Sequence, residues 1–434
     1  MKALLIKNRI LLLLIVFFIV FLLQGEYNIF KLKSLKGAIV QPEKPIFNFR
    51  NWYSGEYQEP KEKYINETFG FRQFFIRVNN QIAYSFFNKV KANGVIIGKN
   101  YYLFEENYIK AYYGTDFIGI DSIAHRIERL KFIQDTLMKL NKTLIVVFAA
   151  GKGSFYPEFF PNEYIREKGK TNYEYHVKLA NECGLNYIDF NKYFVENKSK
   201  SKYPLYPQFG IHWSNYGACI AADSMIKYIE KVRGIDMPNL FWNEIVLANA
   251  KETDYDIGCG MNLLFNLKGS KMAYPVVQIQ PDSGKIKPSA IVIADSYYWL
   301  MFGNTFSRAL SNNQFWFYNK QVYPEYFQNG LETSQVNLKD EIQKHDVIIL
   351  MATEATLPGL GWGFIENTYD LFKGIENKST YDSELQRKII SQRNYIKADK
   401  NWMEQIEKKA IMNKVSVDSM VTLDAIWQIQ HENK

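Results

Sequence analysis

The stretch Ala290-Ile291-Val292-Ile293-Ala294-Asp295-Ser296-Tyr297 decides the fold. Its first five residues are apolar without polar alternation, the pattern of a strand buried on both faces, and such strands belong to parallel sheets covered by helices. Two further runs read the same way, Thr143 to Ala150 and Asp346 to Ala352. Between them lie helical patterns. Ser122 to Leu140 puts Ile123, Ile127, Leu130, Ile133 and Leu137 on one face, and Asn172 to Cys183 and Ser214 to Lys231 also read as helices. Short strands are expected at Tyr187-Ile188-Asp189-Phe190 and Phe315-Trp316-Phe317, and helices at Trp299 to Leu310 and Leu331 to Lys344. The alternation predicts an α/β domain over residues 117–378, a three-layer, doubly wound, mostly parallel sheet. From residue 379 to 434 the pattern turns helical and charged, a C-terminal extension.

The 434 residues are 47% hydrophobic, enough for a large core and too many for a disordered chain. Cys183, Cys219 and Cys259 lie too far apart for Cys-x-x-Cys spacing, so we expect no metal site, no cofactor and at most one disulfide. The net charge of +8 is spread along the chain without a dense basic block, which argues against a nucleic-acid partner.

Residues 1–9 carry Lys2, Lys7 and Arg9 and precede the uninterrupted apolar run Ile10 to Leu23. A basic flank before such a run is a membrane-insertion signal, and no small-x-small cleavage site follows Leu23. Residues 10–30 are therefore read as an uncleaved, single-pass anchor with the short N-terminus in the cytoplasm and the bulk of the chain exported. In the lead-in, residues 31–116, Tyr64 to Val90 has a helical pattern in which Phe71, Phe74, Phe75, Val78, Ile82, Phe86 and Phe87 recur at spacings of three and four. That stripe is predicted to face the core. Gly94 to Gly98 reads as a strand and turn leading to Tyr101-Tyr102-Leu103-Phe104.

Two places carry chemistry. Ser296 follows a buried strand at its carboxyl end, where active groups of open α/β sheets lie, and the turn beyond it offers backbone N–H groups to a developing oxyanion. Asp-Ser is also an ordinary helix cap. His212 sits in the loop Gln208-Phe209-Gly210-Ile211-His212-Trp213-Ser214, and a histidine within reach of a serine alcohol is a general base. The aromatic rings flanking these motifs, Trp213, Tyr297, Tyr298 and Trp299, are candidates to stack on sugar faces. Lys152 either binds an acidic sugar or covers the sheet edge. Pro358 to Gly363 is a loop after the last strand that can line a cleft.

Taken together these residues resemble the SGNH-like polysaccharide O-acetyltransferases of the alginate AlgX/AlgJ type. The resemblance rests on Gly94 to Phe104, on Val147-Phe148-Ala149-Ala150-Gly151-Lys152 running to Tyr156-Pro157 and Pro161, on His212-Trp213 followed by Asn215 and Gly217, and on Asp295-Ser296-Tyr297. It implies a nucleophilic Ser296 that passes an acetyl group to a sugar hydroxyl of an exported cell-surface polysaccharide, with His212 as base and Trp213, Tyr297 and Lys152 near the substrate. It implies as partner a membrane-bound O-acyltransferase that supplies the acetyl groups, and as location the periplasmic side of a bacterial inner membrane.

One departure stands out: the family's aspartate, two residues before the histidine, is Gly210 here. Asp295 is the adjacent carboxylate, although its place in the nucleophile turn suits it better to holding that turn. Asp189 and Glu354, each near a strand end, are other candidates for the third triad member. The same residues also suit an acetyl esterase, and Gly210 leaves room for a non-catalytic polysaccharide-binding or assembly protein.

Overall fold

The computed structural model describes residues 2–37, 42–281, 283–303, 305–324, 330–374, 388–389, 391–393, 395–413 and 417–431. Among these the central sheet has seven strands, numbered in chain order: β1 Thr143–Ala149, β2 Tyr187–Asp189, β3 Ala290–Ala294, β4 Asn313–Phe317, β5 Gln321–Tyr323, β6 Leu331–Glu332 and β7 Val347–Thr353. Their spatial order is β6-β5-β4-β3-β7-β1-β2. The five strands from β4 to β2 are parallel, and β5 and β6 add an antiparallel edge.

The apolar runs fold this way because successive side chains point to opposite faces and both faces are covered. Ile145, Val147, Val292 and Ile349 join a core with Ala218, Ala222, Met225 and Ile229 of helix Asn215–Arg233. Leu144, Val146, Ile291, Ile348 and Leu350 pack on the other side against Ile123, Leu130 and Leu137 of helix Ile120–Lys139. Three layers result. The carboxyl ends of β1, β3, β4 and β7 lead directly into Lys152, Ser296, Tyr318 and Glu354, so four chemically capable side chains stand along one edge of the sheet.

Several expected elements differ. The helix expected over Trp299 to Leu310 stops at Phe302, before Gly303, and a separate 3-10 turn covers Phe306–Ala309. The helix expected from Leu331 begins only at Leu338, because Asn337 caps it by accepting from Lys339 and Asp340 N–H, while Leu331–Glu332 pairs as edge strand β6. The cysteines are all free.

The lead-in differs most. Tyr64 to Val90 is two helices, Gln58–Thr68 and Arg72–Phe87, separated at Phe71, which takes a left-handed conformation with φ 66°. The aromatic stripe does not face the core. Phe74, Phe75, Ile82, Phe86 and Phe87 are exposed, whereas Arg77 and Ala83 are buried. Arg77 donates to the carbonyls of Leu263 and Ser34, and Asn80 to that of Met261, so the helix is seated through its polar side. The N-terminal helix Lys2–Tyr27 contains Asn8–Tyr27, a stretch long and apolar enough to cross a membrane. Helices Lys400–Asn413 and Val417–His431 lie in the described part of the C-terminal extension and share a small core that includes Ile406, Ala410 and Val421.

Glu354, at the end of β7, is buried and accepts from Ser154 Oγ and Asn191 Nδ2, both at 2.6 Å. Burial raises its pKa from 4.5 to about 7, more than those two hydrogen bonds lower it. Between these two values the folded state holds a proton that the unfolded chain has released, so this group's contribution to stability is full below pH 4.5 and is lost as pH rises through 7. Glu354→Gln is expected to gain in melting temperature over the parent on going from pH 5 to pH 8, read by thermal unfolding at the two pH values. A difference independent of pH would show that Glu354 is ionised throughout.

Candidate active site

Ser296 opens a single 3-10 turn, Ser296–Tyr298, immediately beyond β3. The turn is held by Asp295. Its Oδ1 accepts from Tyr297 N–H at 3.1 Å, and its Oδ2 accepts from Thr353 N–H, Thr353 Oγ1 and Thr356 Oγ1 at 2.9, 2.9 and 2.7 Å. These four donors tie the ends of β3 and β7 together and occupy both carboxylate oxygens. Asp295 thus holds the turn, as its place beside Ser296 suits it to do, and is not the carboxylate on the imidazole.

The histidine loop is fastened from three sides. Tyr297 donates its hydroxyl to Ile211 O at 2.6 Å, linking the serine turn to the loop. Lys152 is fully buried and donates to the carbonyls of Gln208 and Gly210 at 2.9 and 2.6 Å. Burial lowers its pKa to about 7, against the opposing pull of Asp256 and Glu105. Trp213 is fully buried, its ring edge-on to those of Phe190, Phe194 and Tyr297. Lys152, Trp213 and Tyr297, expected near a sugar, therefore shape the loop from beneath and have no exposed surface to offer a saccharide. Tyr298 is buried too, its hydroxyl on Asn313 Oδ1.

The third fastening supplies the acid. His212 Nε2 lies 2.9 Å from Ser296 Oγ, and His212 Nδ1 is in short contact with Asp256 Oδ2. A carboxylate only accepts, so Nδ1 carries the proton and Nε2 is left to accept from the serine hydroxyl. Asp256 opens the short helix Asp256–Gly260, and its Oδ1 accepts from Ile211 and Ile257 N–H at 2.9 and 2.6 Å. Two residues earlier Asp254 accepts from Asn215 N–H, just past the histidine loop, and Gly258 N–H donates to Phe209 O at 2.9 Å. Residues 253–258 thus lie along the histidine loop over its whole length.

Gly210 makes this approach possible. A Cβ there would stand 2.4 Å from Thr253 O and 2.9 Å from the Asp254 carbonyl carbon. A side chain at position 210 and the segment bearing Asp256 exclude one another. Asp189 and Glu354 are elsewhere: Asp189 accepts from Tyr173 Oη and Lys192 N–H, and Glu354 from Ser154 and Asn191.

Three residues at the site gave no signal in the sequence: Glu105, Tyr318 and Asp256. Glu105, at the end of strand Leu103–Glu105, has its pKa raised by burial and then by the charge of Asp256, with His212 and Lys152 opposing. Tyr318 follows β4 in a left-handed conformation, φ 49°, and donates its N–H to Ala294 O at 2.9 Å. Its hydroxyl interacts with the side chain and backbone of Ser296, and its ring lies edge-on to Trp362 of the 358–363 loop at 5.0 Å. Asp256 itself lies 44 residues beyond His212 in a polar loop, and nothing in Thr253-Asp254-Tyr255-Asp256 marks one carboxylate above the other.

A cleft of about 400 Å³ is lined by Asn215, Thr253, Trp299, Tyr274, Glu252 and Arg308 among others. Asn215, Thr253 and Trp299 each stand three residues from a member of the Ser296-His212-Asp256 set.

A parallel sheet between two helical layers, with a serine at a strand end and a histidine from a distant loop, defines an SGNH-hydrolase-like protein. Residues 95–253 match the family described as "SGNH hydrolase-like domain, acetyltransferase AlgX". The match includes Lys152 and His212 and ends before Asp256 and Ser296. No curated protein matches the sequence. Similar solved structures include the O-acetyltransferase domain of Pseudomonas putida AlgJ (13% identity, TM-score 0.43, 64% of this chain and 99% of that one). Pseudomonas aeruginosa AlgX (14%, 0.41, 63% and 66%) and Bacillus cereus PatB1 (11%, 0.40, 61% and 96%) are others.

Gly210→Asp, which restores the family's residue, is expected to lower stability by about 1–3 kcal/mol through overpacking and to lower turnover by displacing Asp256. Denaturant unfolding and acetyl-ester turnover together check this. A variant as stable and as active as the parent would refute the exclusion argument.

Proposed function

We propose that this chain transfers acetyl groups to hydroxyls of an exported polysaccharide through an acetyl-Ser296 intermediate. The observation that carries the reading is the continuous hydrogen-bonded chain from Ser296 Oγ through His212 to Asp256. Ser296 Oγ attacks the donor's acetyl carbonyl as its proton passes to His212 Nε2, and the tetrahedral oxyanion collapses to acetyl-serine while the leaving group takes that proton. A sugar hydroxyl then attacks the acyl-enzyme, gives its proton to His212, and leaves as the acetate ester while the proton returns to serine. Asp256 fixes the tautomer and stabilises the imidazolium. The oxyanion faces the Tyr318 hydroxyl, and the cleft walled by Asn215, Thr253 and Trp299 takes the acceptor, with the half-buried Trp299 as the ring available to a sugar face.

This reading includes the source of the acetyl group, a membrane-bound O-acyltransferase, and a periplasmic position for the α/β domain behind a single N-terminal span. Support for the latter comes from the apolar helix, and for the former from the family alone. Gly210 was the ground for a non-catalytic protein, and Asp256 on the imidazole favours the catalytic reading over it.

Ser296→Ala is expected to abolish transfer of acetyl from 4-nitrophenyl acetate to an oligosaccharide acceptor, read by mass spectrometry. Unchanged transfer by the variant removes the proposal, whereas free acetate without acetylated acceptor in the parent assigns a hydrolase. Tyr318→Phe should retain the acyl-enzyme route but lower kcat by about 10²–10³-fold if its hydroxyl meets the oxyanion.

The pH dependence follows from His212. Burial works against the imidazolium, yet the Asp256 hydrogen bond and charge, with Asp295 and Glu105 adding to them, raise its pKa above the usual 6.5. Only the neutral imidazole accepts the serine proton, so kcat/KM is expected to fall as pH drops through a value above 6.5. Asp256→Asn should move that acid limb to lower pH and reduce kcat by about 10⁴-fold, as loss of the orienting acid does in a serine protease. An acid limb that stays in place in the variant would separate Asp256 from the titrating group.

A further inference from the structure

The helix Arg72–Phe87 is inverted in its amphipathicity: Arg77 and Asn80 hold it to the protein while Phe74, Phe75, Ile82 and Phe86 are exposed at 41, 42, 45 and 79%. In a water-soluble setting this is the wrong way round, since an aromatic stripe of this length is otherwise buried. Its position supplies the reason. Phe21, near the outer end of the apolar helix Lys2–Tyr27, has its ring stacked on Phe75 and edge-on to Phe71, with centroids 5.6 and 5.3 Å away. Gly70 lies against the same helix so closely that a Cβ there would stand 2.3 Å from Phe21 O and 2.9 Å from Gly25 N. The exposed stripe is thus continuous with the surface of the membrane-spanning stretch.

Residues 24–36, at the outer end of the span, are also tied down. Gln24 exchanges two hydrogen bonds with the backbone of Phe30, both 2.8 Å; Lys36 exchanges two with Asn262; and Arg77 donates to Ser34 O. The stripe is therefore held at one position relative to the span. Lys31, Lys33 and Lys36 are exposed on this connection, at the level where a bilayer presents its anionic headgroups.

We propose that the helix Arg72–Phe87 is an interfacial element that lies in the outer-facing leaflet, its aromatic stripe sunk among the upper acyl chains and the neighbouring lysines on lipid phosphates. The span and the stripe then form one lipid-facing surface, and the α/β domain is held against the membrane at a fixed attitude. Such helices bury their apolar face about 5–10 Å into the boundary between headgroups and acyl chains. This inference is independent of the acetyl-transfer reading, since it uses no residue of the candidate site.

The test places a photoreactive side chain on the stripe of the full-length protein reconstituted in vesicles of phosphatidylethanolamine and phosphatidylglycerol. Phe74→p-benzoylphenylalanine and Phe86→p-benzoylphenylalanine exchange one exposed aromatic residue for another, and Lys178→p-benzoylphenylalanine, on the exposed side of helix Asn172–Glu182, is the control. After irradiation, adducts of phospholipid mass are expected at 74 and 86 and none at 178, in protein that resists alkaline extraction from the vesicles. Loss of the lipid adduct at either stripe position overturns the proposal, whether it is replaced by a protein–protein band, which would assign the stripe to a partner or a second copy, or by nothing, which would leave it in water. An equal lipid adduct at 178, or release of the protein by alkali, overturns it as well.

Discussion

The close approach of residues 253–256 to Gly210 is the constraint on which the site depends. One missing Cβ lets a second loop lie against the histidine loop, and that loop then delivers Asp256 to His212, Asp254 to the N-terminus of helix Asn215–Arg233 and Gly258 N–H to Phe209 O. Here the acid arrives on a segment whose backbone packs directly on that of residue 210, and at that distance only glycine fits. The absence of the aspartate at 210 and the presence of one at 256 are two aspects of a single packing solution.

The same logic runs down through the loop. Lys152, beyond β1, reaches the carbonyls of Gln208 and Gly210, where an apolar side chain would take the buried Gly210 carbonyl's donor away at a cost of about 1–3 kcal/mol and leave Gln208 O to Leu103 N–H. A buried lysine with a pKa near 7 is itself an expensive residue, and it is tolerable because Asp256, Glu105 and the rings of Phe104 and Tyr102 surround it. Asp295 and Tyr297 complete the scaffold, the first joining β3 to β7 and the second joining the serine turn to Ile211. Four of the residues that flank the chemistry in the sequence thus serve to hold its geometry: Lys152, Trp213, Asp295 and Tyr297.

This explains what the sequence disclosed and what it withheld. Strands β1, β3 and β7 were legible because burial on both faces leaves an unbroken apolar run, and helix Ile120–Lys139 because its inner face repeats at the helical period. The edge strands β5 and β6 were not, since two or three residues with one exposed side carry no periodic signal. Ser296 and His212 were legible as residue types at a strand end and in a loop. Asp256 was hidden because its role is created by a tertiary contact 44 residues away, and no local pattern in Thr253-Asp254-Tyr255-Asp256 records that contact. Lys152 and Trp213 misled for the complementary reason: a cation or an indole next to a motif looks like a ligand-binding group until its burial is known.

The aromatic stripe of Arg72–Phe87 misled in a more instructive way. Helical periodicity of apolar residues reports that one face avoids water, and it does not report what replaces the water. In a chain with a helix long and apolar enough to cross a membrane, lipid is as good a replacement as protein, and only the direction of the polar contacts distinguishes the two. Arg77 and Asn80 spend their donors on carbonyls of Leu263 and Met261, which fixes the polar side inward. Once that side is committed to the protein, the stripe has only the outside to face, and Gly70, packed against Gly25 and Phe21, sets it beside the span. A helix of ordinary composition thereby becomes part of the surface that orients the α/β domain with respect to the bilayer.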